Sequence, residues 1–231
     1  MIKSVFITGT DTEVGKTLVS CALMLALQRQ NTQLVVNGFK PLAAGAEQGP
    51  DGLNNEDGLA IQQYTSLPLS YQQVNPVTLQ QAIAPHIAAR LENAPIDIAA
   101  MDSGLDLLQA QSDILLVEGA GGWHVPLDDQ QATFSQWVVK HQLPVILVVG
   151  VKLGCLNHAL LTVEAIKASG VKLLAWVANH LSDDSEIATL NIEYLKNAIT
   201  APCIATIPYK TKVNPELIEN YFDLRVFHGA I

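Results

Sequence analysis

The chain has 231 residues, 49% of them apolar and only 15% charged, and its 13 Lys and Arg against 22 Asp and Glu give a net charge of −9. This composition describes a globular core, excludes a disordered or low-complexity chain, and argues against a general binder of DNA or anionic membranes. Any bound phosphate must be met by local geometry. The three cysteines, Cys21, Cys155 and Cys203, are scattered and form no C-x-x-C pair, so neither a disulfide framework nor a zinc site is indicated. No signal-like apolar run opens the chain and no stretch approaches the roughly 20 apolar residues of a membrane helix, which together predict a cytoplasmic location.

At roughly 150 residues per domain the length allows one large α/β domain or two small ones. In chain order, β-branched apolar runs and 3.6-residue periodicity predict a strand at 4–8, a helix at 16–30, a strand at 34–39, helices at 56–64, 85–91 and 96–110, and a strand at 113–118. A helix at 133–141, a strand at 145–149, a helix at 156–169, a strand at 173–178, a helix at 184–198 and a strand at 203–207 complete the pattern. Most of these strands are continuously apolar, as strands are when helices cover both faces of a parallel sheet. The expected fold is therefore α/β, a doubly wound, mostly parallel sheet. Residues 45–55 read as a loop and not as a boundary between domains. Ligands of such sheets bind beyond the carboxyl ends of the strands, so those positions carry the functional reading.

The first strand runs into Gly9-Thr10-Asp11-Thr12-Glu13-Val14-Gly15-Lys16-Thr17 and then an apolar helix. In this setting backbone N–H groups and a helix N-terminus cradle polyphosphate, Lys16 reaches the outer phosphates and the Thr17 hydroxyl ligates Mg²⁺. The general motif has four residues between its glycines, whereas Gly9 and Gly15 enclose five. A turn that merely joins strand to helix is the alternative. The second strand ends in Lys40-Pro41, where the lysine either stabilises a transferred phosphoryl group or is a solvated strand end. Asp57 is either a metal ligand or a first-turn acid favoured by the helix dipole. The third strand ends on Glu118 and enters Gly119-Ala120-Gly121-Gly122-Trp123, which suits a second Mg²⁺ ligand beside a close-approach turn. Beyond the fifth strand, Asn179 has the donor and acceptor to read a base edge, and the absence of Asn-Lys-x-Asp favours adenine over guanine. Tyr209 packs on the base or on the protein. His158 and Cys155 are assigned no chemistry.

Together, the run Gly9 to Thr17, Lys40-Pro41, Val117 to Trp123, the stretch from Pro144 to Asn157-His158-Ala159, and Trp176-Val177-Ala178-Asn179 closely resemble the dethiobiotin synthetase family along nearly the whole chain. The five-residue glycine spacing is that family's own. The resemblance implies a single P-loop NTPase-like nucleotide-binding domain over residues 1–231. It also implies an ATP- and Mg²⁺-dependent cyclo-ligase that converts 7,8-diaminononanoate and CO₂ to dethiobiotin, with ADP and phosphate as by-products, through a carbamate and a carbamic-phosphoric anhydride. On this reading Lys16 and Lys40 are catalytic, and Thr17, Asp57 and Glu118 surround Mg²⁺. ATP lies against Glu13, Val14, Gly15, Lys16, Thr17 and Leu18, against Asp57, Glu118, Gly119, Ala120 and Gly121, and at the base against Asn179, His180, Pro208, Tyr209, Lys210 and Glu216. The diamine and carbamate lie against Thr12, Lys40, Ala44, Gly121, Gly122, Val151 and Asn157. The family implies a homodimer, with the diamine's tail carboxylate held near the interface, small-molecule partners, and neither nucleic acid nor membrane.

Two departures stand out. Ala44 replaces a family serine, deleting a hydrogen bond worth about 0.5–1.5 kcal/mol, and the loop 209–215 is longer than the family's. Two rivals share the phosphate loop. Chromosome-partitioning and septum-positioning switches add a lysine at the loop's start, where this chain has Gly9 or Thr10, and need a basic face that residues 221–231 do not offer. A cobalamin-type amidotransferase needs a glutaminase domain for which the length leaves no room.

Overall fold

Continuous apolar runs and amphipathic stretches alternate along the chain, and they fold as alternating strands and helices. The structure, a computed structural model, describes residues 3–49, 52–183, 185–209 and 214–227. Its strands are β1 (Ser4–Gly9), β2 (Val36–Phe39), β3 (Leu42–Ala44), β4 (Glu47–Gly49), β5 (Gly52–Asn54), β6 (Val77–Leu79), β7 (Ile114–Glu118), β8 (Val145–Val151), β9 (Leu173–His180) and β10 (Cys203–Ile207). Its helices are α1 (Lys16–Gln30), α2 (Glu56–Gln63), α3 (Tyr71–Val74), α4 (Pro85–Leu91), α5 (Ile98–Gln111), α6 (Phe134–Lys140), α7 (Cys155–Ala168), α8 (Ser185–Ala198) and α9 (Pro215–Ile218).

The six strands expected from sequence form one sheet in the order β10-β9-β8-β1-β7-β2, every pair parallel. Successive side chains of a strand point to opposite faces, and both faces are dry here. Ile146 and Val148 of β8 and Ala175 and Val177 of β9 join the larger core beneath α1, whereas Leu147, Val149, Trp176 and Ala178 pack with Val163 of α7 and Ile192 of α8 on the other side. Parallel pairing sends every carboxyl end to the same edge. Phe39, Glu118, Gly9, Val151, His180 and Ile207 therefore end their strands along one rim.

The differences from expectation are local. Residues 45–55 are not a plain loop, because β4 and β5 pair as an antiparallel hairpin with Glu47 opposite Asn54. A second small sheet pairs β3 with β6 in parallel, and α3 and α9 are short helices of four residues. β2 starts at Val36, later than position 34, because the Leu34 N–H closes a turn onto Asn31 O. α5 starts at Ile98 because Asp97 caps it, its side chain accepting from the Ala100 N–H. The predicted start of helix 184–198 at Asp184 lies outside the described residues.

Candidate active site

The phosphate loop is held by β8, the strand beside β1. The Thr10 N–H donates to Val148 O (3.0 Å), and the Thr10 hydroxyl accepts from the Gly150 N–H (3.3 Å). Val14 is completely buried, and a Cβ on Gly150 would come within 2.7 Å of Val14 Cγ1, so only glycine admits the loop at that point of β8. Gly15 turns the chain into α1 with φ +87°, a conformation that costs an L-residue about 1–2 kcal/mol. Glu13 is also left-handed, with φ +56°. No side chain caps α1. Its first-turn N–H groups are thus left without a side-chain partner, as an uncapped helix start leaves them.

Lys16 opens α1 buried, with Nζ donating to Asp11 O (3.1 Å) inside its own loop. Burial first, and then the nearby Lys40 cation, bring its pKa down to about 8. One residue on, the Thr17 hydroxyl stands 2.7 Å from Asp57 Oδ1 and 2.8 Å from Glu118 Oε1, donating its single proton to one of them at a time. Lys40 Nζ completes the cluster, donating to Glu118 Oε1 (2.7 Å), Asp57 Oδ2 (2.9 Å) and Gly119 O (3.2 Å). Lys40 is 2% exposed and Glu118 is fully buried. The solvated strand-end reading of Lys40 therefore fails. Asp57 does stand in the first turn of α2, which Asn55 caps, and its carboxylate also meets Thr17 and Lys40. Although burial opposes both shifts, the two carboxylates raise the Lys40 pKa and Lys40 lowers that of Asp57. Lys16 and Lys40 balance Asp57 and Glu118 in formal charge, so the cluster is neutral before any ligand enters.

Along the rim, Asn179 at the end of β9 lies in register with Gly150 and Ile207, which brings it beside Pro208. Its carboxamide nitrogen donates to Val14 O (2.9 Å), which leaves its oxygen and its second N–H. Burial lowers the pKa of the neighbouring His180. Tyr209 is exposed, and Lys210 lies outside the described residues. Glu216 on α9 accepts from the Tyr64 hydroxyl (2.6 Å), which keeps its carboxyl below the usual range. A buried Glu219 paired with Arg29 ties the segment that carries Glu216 to α1.

Ala120, Gly121 and Gly122 form the half-buried turn after Glu118, and Leu18 sits in the first turn of α1. Ala44 ends β3, its carbonyl accepting from Asn55 Nδ2 (3.1 Å), and its methyl supplies no hydroxyl. Thr12 is exposed at the loop tip, Val151 is buried at the end of β8, and Asn157 is exposed on α7. These four do not join the Lys40 cluster by any hydrogen bond of their side chains.

Sequence reasoning missed the residues that hold the cluster in place. Ser20, one turn after Thr17 on α1, donates to Glu118 Oε2 (2.7 Å) and so fixes the carboxylate whose other oxygen meets Lys40. Its i+3 spacing from Thr17 was the available signal. Asn55, Tyr71 and Asn75, buried behind Lys40 and Asp57, gave no such sign.

The chain matches the AAA domain family over residues 3–217. It is 44% identical over 231 residues, all of this chain and 95% of the relative, to the ATP-dependent dethiobiotin synthetase BioD of Pseudescherichia vulneris. It is 47% identical over 216 residues, 94% of each chain, to the ATP-dependent dethiobiotin synthetase BioD 1 of Escherichia coli (strain K12). Among solved structures it resembles the septum site-determining protein MinD of Pyrococcus horikoshii complexed with Mg-ADP, with TM-score 0.54, 19% identity, and 91% of this chain and 82% of that one covered. A ParA family ATPase from Chlorobium tepidum gives TM-score 0.52 at 13% identity, covering 91% and 86%. At these identities the two structures show the shared fold alone.

Proposed function

The chain belongs to the ATP-dependent dethiobiotin synthetase family, and from that premise we propose how its residues carry the reaction. The family makes it a ligase of biotin biosynthesis that closes carbon–nitrogen bonds at the expense of ATP. The observation that carries the reading of the site is the buried Lys40 ammonium, held between Asp57 and Glu118 at the mouth of the phosphate loop.

In the proposed sequence one amine of 7,8-diaminononanoate adds to CO₂, losing a proton and giving a carbamate. A carbamate oxygen then attacks the γ-phosphorus and ADP leaves. The second amine attacks the carbonyl carbon of the resulting anhydride, loses a proton and expels phosphate, closing the ureido ring. A carbamate anion resists attack by an amine, whereas its mixed anhydride has a good leaving group. Lys16 and Lys40 hold the carbamate and the γ-phosphate and offset the charge that builds between them, and the first-turn N–H groups of α1 receive the phosphates. Ala44 presents only a methyl on the carbamate side. Asn179 Oδ1, Pro208 and Glu216 frame the adenine.

The Thr17 hydroxyl and the Asp57 and Glu118 carboxylates converge as an all-oxygen donor set, which fits Mg²⁺. Among the described residues no cluster of three His, Cys, Asp or Glu forms a metal cage. Two carboxylates and a hydroxyl suit an ion that completes its shell with water and phosphate oxygens. When bound there, Mg²⁺ would neutralise charge on the β- and γ-phosphates.

We further propose that residues 1–231 act as one nucleotide-binding domain and that two copies associate. Leu153 at the turn before α7, Leu161 on α7 and Ile187, Leu190 and Tyr194 on α8 expose apolar surface that supports such pairing, with Asn157 nearby for the diamine's tail carboxylate. Three free cysteines support a cytoplasmic location, and no helix among the described residues is long and apolar enough to cross a membrane. The purified protein is expected to release phosphate from ATP only with diamine, bicarbonate and Mg²⁺ all present, with dethiobiotin identified by mass. Phosphate release that needs no diamine would refute the reading, and gel filtration tests the dimer.

A further inference from the structure

Lys40 and Asp57 come from different elements and meet directly, Nζ to Oδ2 at 2.9 Å. They are also joined from behind. The Lys40 N–H donates to Val74 O (2.8 Å) and the Lys40 carbonyl accepts from Asn75 Nδ2 (2.7 Å), so the end of α3 holds both backbone groups of the lysine. Asn75 Oδ1 accepts from the Tyr71 hydroxyl (2.8 Å), and the same hydroxyl accepts from the Asn55 N–H (2.7 Å). Asn55 Oδ1 in turn accepts from the Asp57 N–H (3.0 Å). The contacts close a ring that runs from Lys40 through Asn75, Tyr71 and Asn55 to Asp57 and back to Lys40.

Behind Lys40 the ring is tightly packed. Asn55 and Asn75 are buried, and a Cβ on Gly58 would come within 2.8 Å of Asn75 Oδ1 and 3.0 Å of Tyr71 Cε2, so α2 rests against this pair one residue past Asp57. A phenol supplies one donor and one acceptor at a fixed reach, and both are used here. We infer that Tyr71 is a positioning residue: it sets the separation of the Lys40 ammonium from the Asp57 carboxylate, although it is hydrogen-bonded to neither. This rests on the functional reading above, in which Lys40 faces the carbamate and Asp57 the metal.

Tyr71→Phe keeps the ring packing and leaves the Asn55 N–H and Asn75 Oδ1 without their shared partner. It is expected to lower kcat for dethiobiotin formation about tenfold or more, as loss of an outer-shell partner does. Calorimetry with a non-hydrolysable ATP analogue should show weaker binding in Mg²⁺ and unchanged binding without it. In an Asp57→Ala background the ring is already cut, so Tyr71→Phe should add no further loss of Mg²⁺-dependent binding. Wild-type kcat and Mg²⁺ dependence, a defect confined to a lower melting temperature, or equal losses in the two backgrounds would overturn the inference. Asn75→Ala cuts the next link and carries the same expectations if Tyr71→Phe does not fold. If the functional reading itself fails, the wild-type protein forms no dethiobiotin, while analogue binding still tests the ring.

Discussion

Lys40→Met removes the cation from the centre of the cluster and keeps most of its volume. Two carboxylates then face the same Thr17 hydroxyl, at 2.7 and 2.8 Å, with no ammonium between them. Breaking a buried pair by deleting one partner costs about 3–5 kcal/mol. The lower end, about 3 kcal/mol, applies because the Asp57 side chain is 37% exposed and partly screened by water. At roughly 2–4 °C per kcal/mol for a chain of this size, the melting temperature should fall by about 6–12 °C. Mg²⁺ supplies the missing positive charge. An ion present at about 100 times its dissociation constant stabilises by about 2.7 kcal/mol, so a magnesium titration followed by calorimetric melting should recover most of the loss in the variant and much less in the wild-type protein, where Lys40 already neutralises the carboxylates. Dethiobiotin formation should not recover. A variant as stable as the wild type without metal, or one that Mg²⁺ stabilises no more than the wild type, would refute the view that Lys40 holds the two carboxylates together.

Asp102, 26% exposed, accepts from Trp137 Nε1 (2.8 Å), Lys140 Nζ (2.5 Å) and His141 Nε2 (2.7 Å). Burial opposes the shift, but these bonds hold its carboxyl below the usual range. Its stabilisation is thus present above the unfolded pKa of about 3.9 and is lost as pH falls through the lower folded value. Asp102→Asn should cost about 1–2 kcal/mol at pH 7, with the gap to wild type in urea unfolding closing on acidification; a gap that widens below pH 4 would contradict this. Gly15→Ala places an L-residue at φ +87° and a Cβ against the Asn179 amide, so ADP affinity should drop about tenfold for each 1.4 kcal/mol of strain, and unchanged affinity would show that the loop relaxes freely. Cys21 is buried and its thiol is pushed up by burial and then by Glu118. Iodoacetamide at pH 8 should leave Cys21 unlabelled in the native protein and label it in urea, as peptide mass mapping would show.

The six core strands were legible because burial on both faces makes a strand apolar throughout, and Val145 to Val151 is the plainest case. β3, β4, β5 and β6 have three residues each, too few for any period to register, and in β4 and β5 none is buried. In the site, the loop residues, Lys40, Asp57 and Glu118 announced themselves by standing at strand or helix ends. Single residues such as Lys40 had two readings that only burial could separate. Ser20, Tyr71 and Asn75 were illegible for a different reason: each is a polar residue inside a short or apolar segment, and the partner that explains it is distant in sequence, as Glu118 is from Ser20 and Lys40 from Asn75.

Val14 has a consequence for the thermodynamics of nucleotide binding. On the proposed reading this loop takes the most strongly hydrated part of the nucleotide, yet it is pinned by an isopropyl group sunk against Gly9 and Gly150. The entropy of shaping the loop is therefore spent when the chain folds and not when nucleotide arrives. Trimming that peg to alanine would shift the ordering onto the binding step, so nucleotide association should become more exothermic and entropically less favourable with every polar contact left in place.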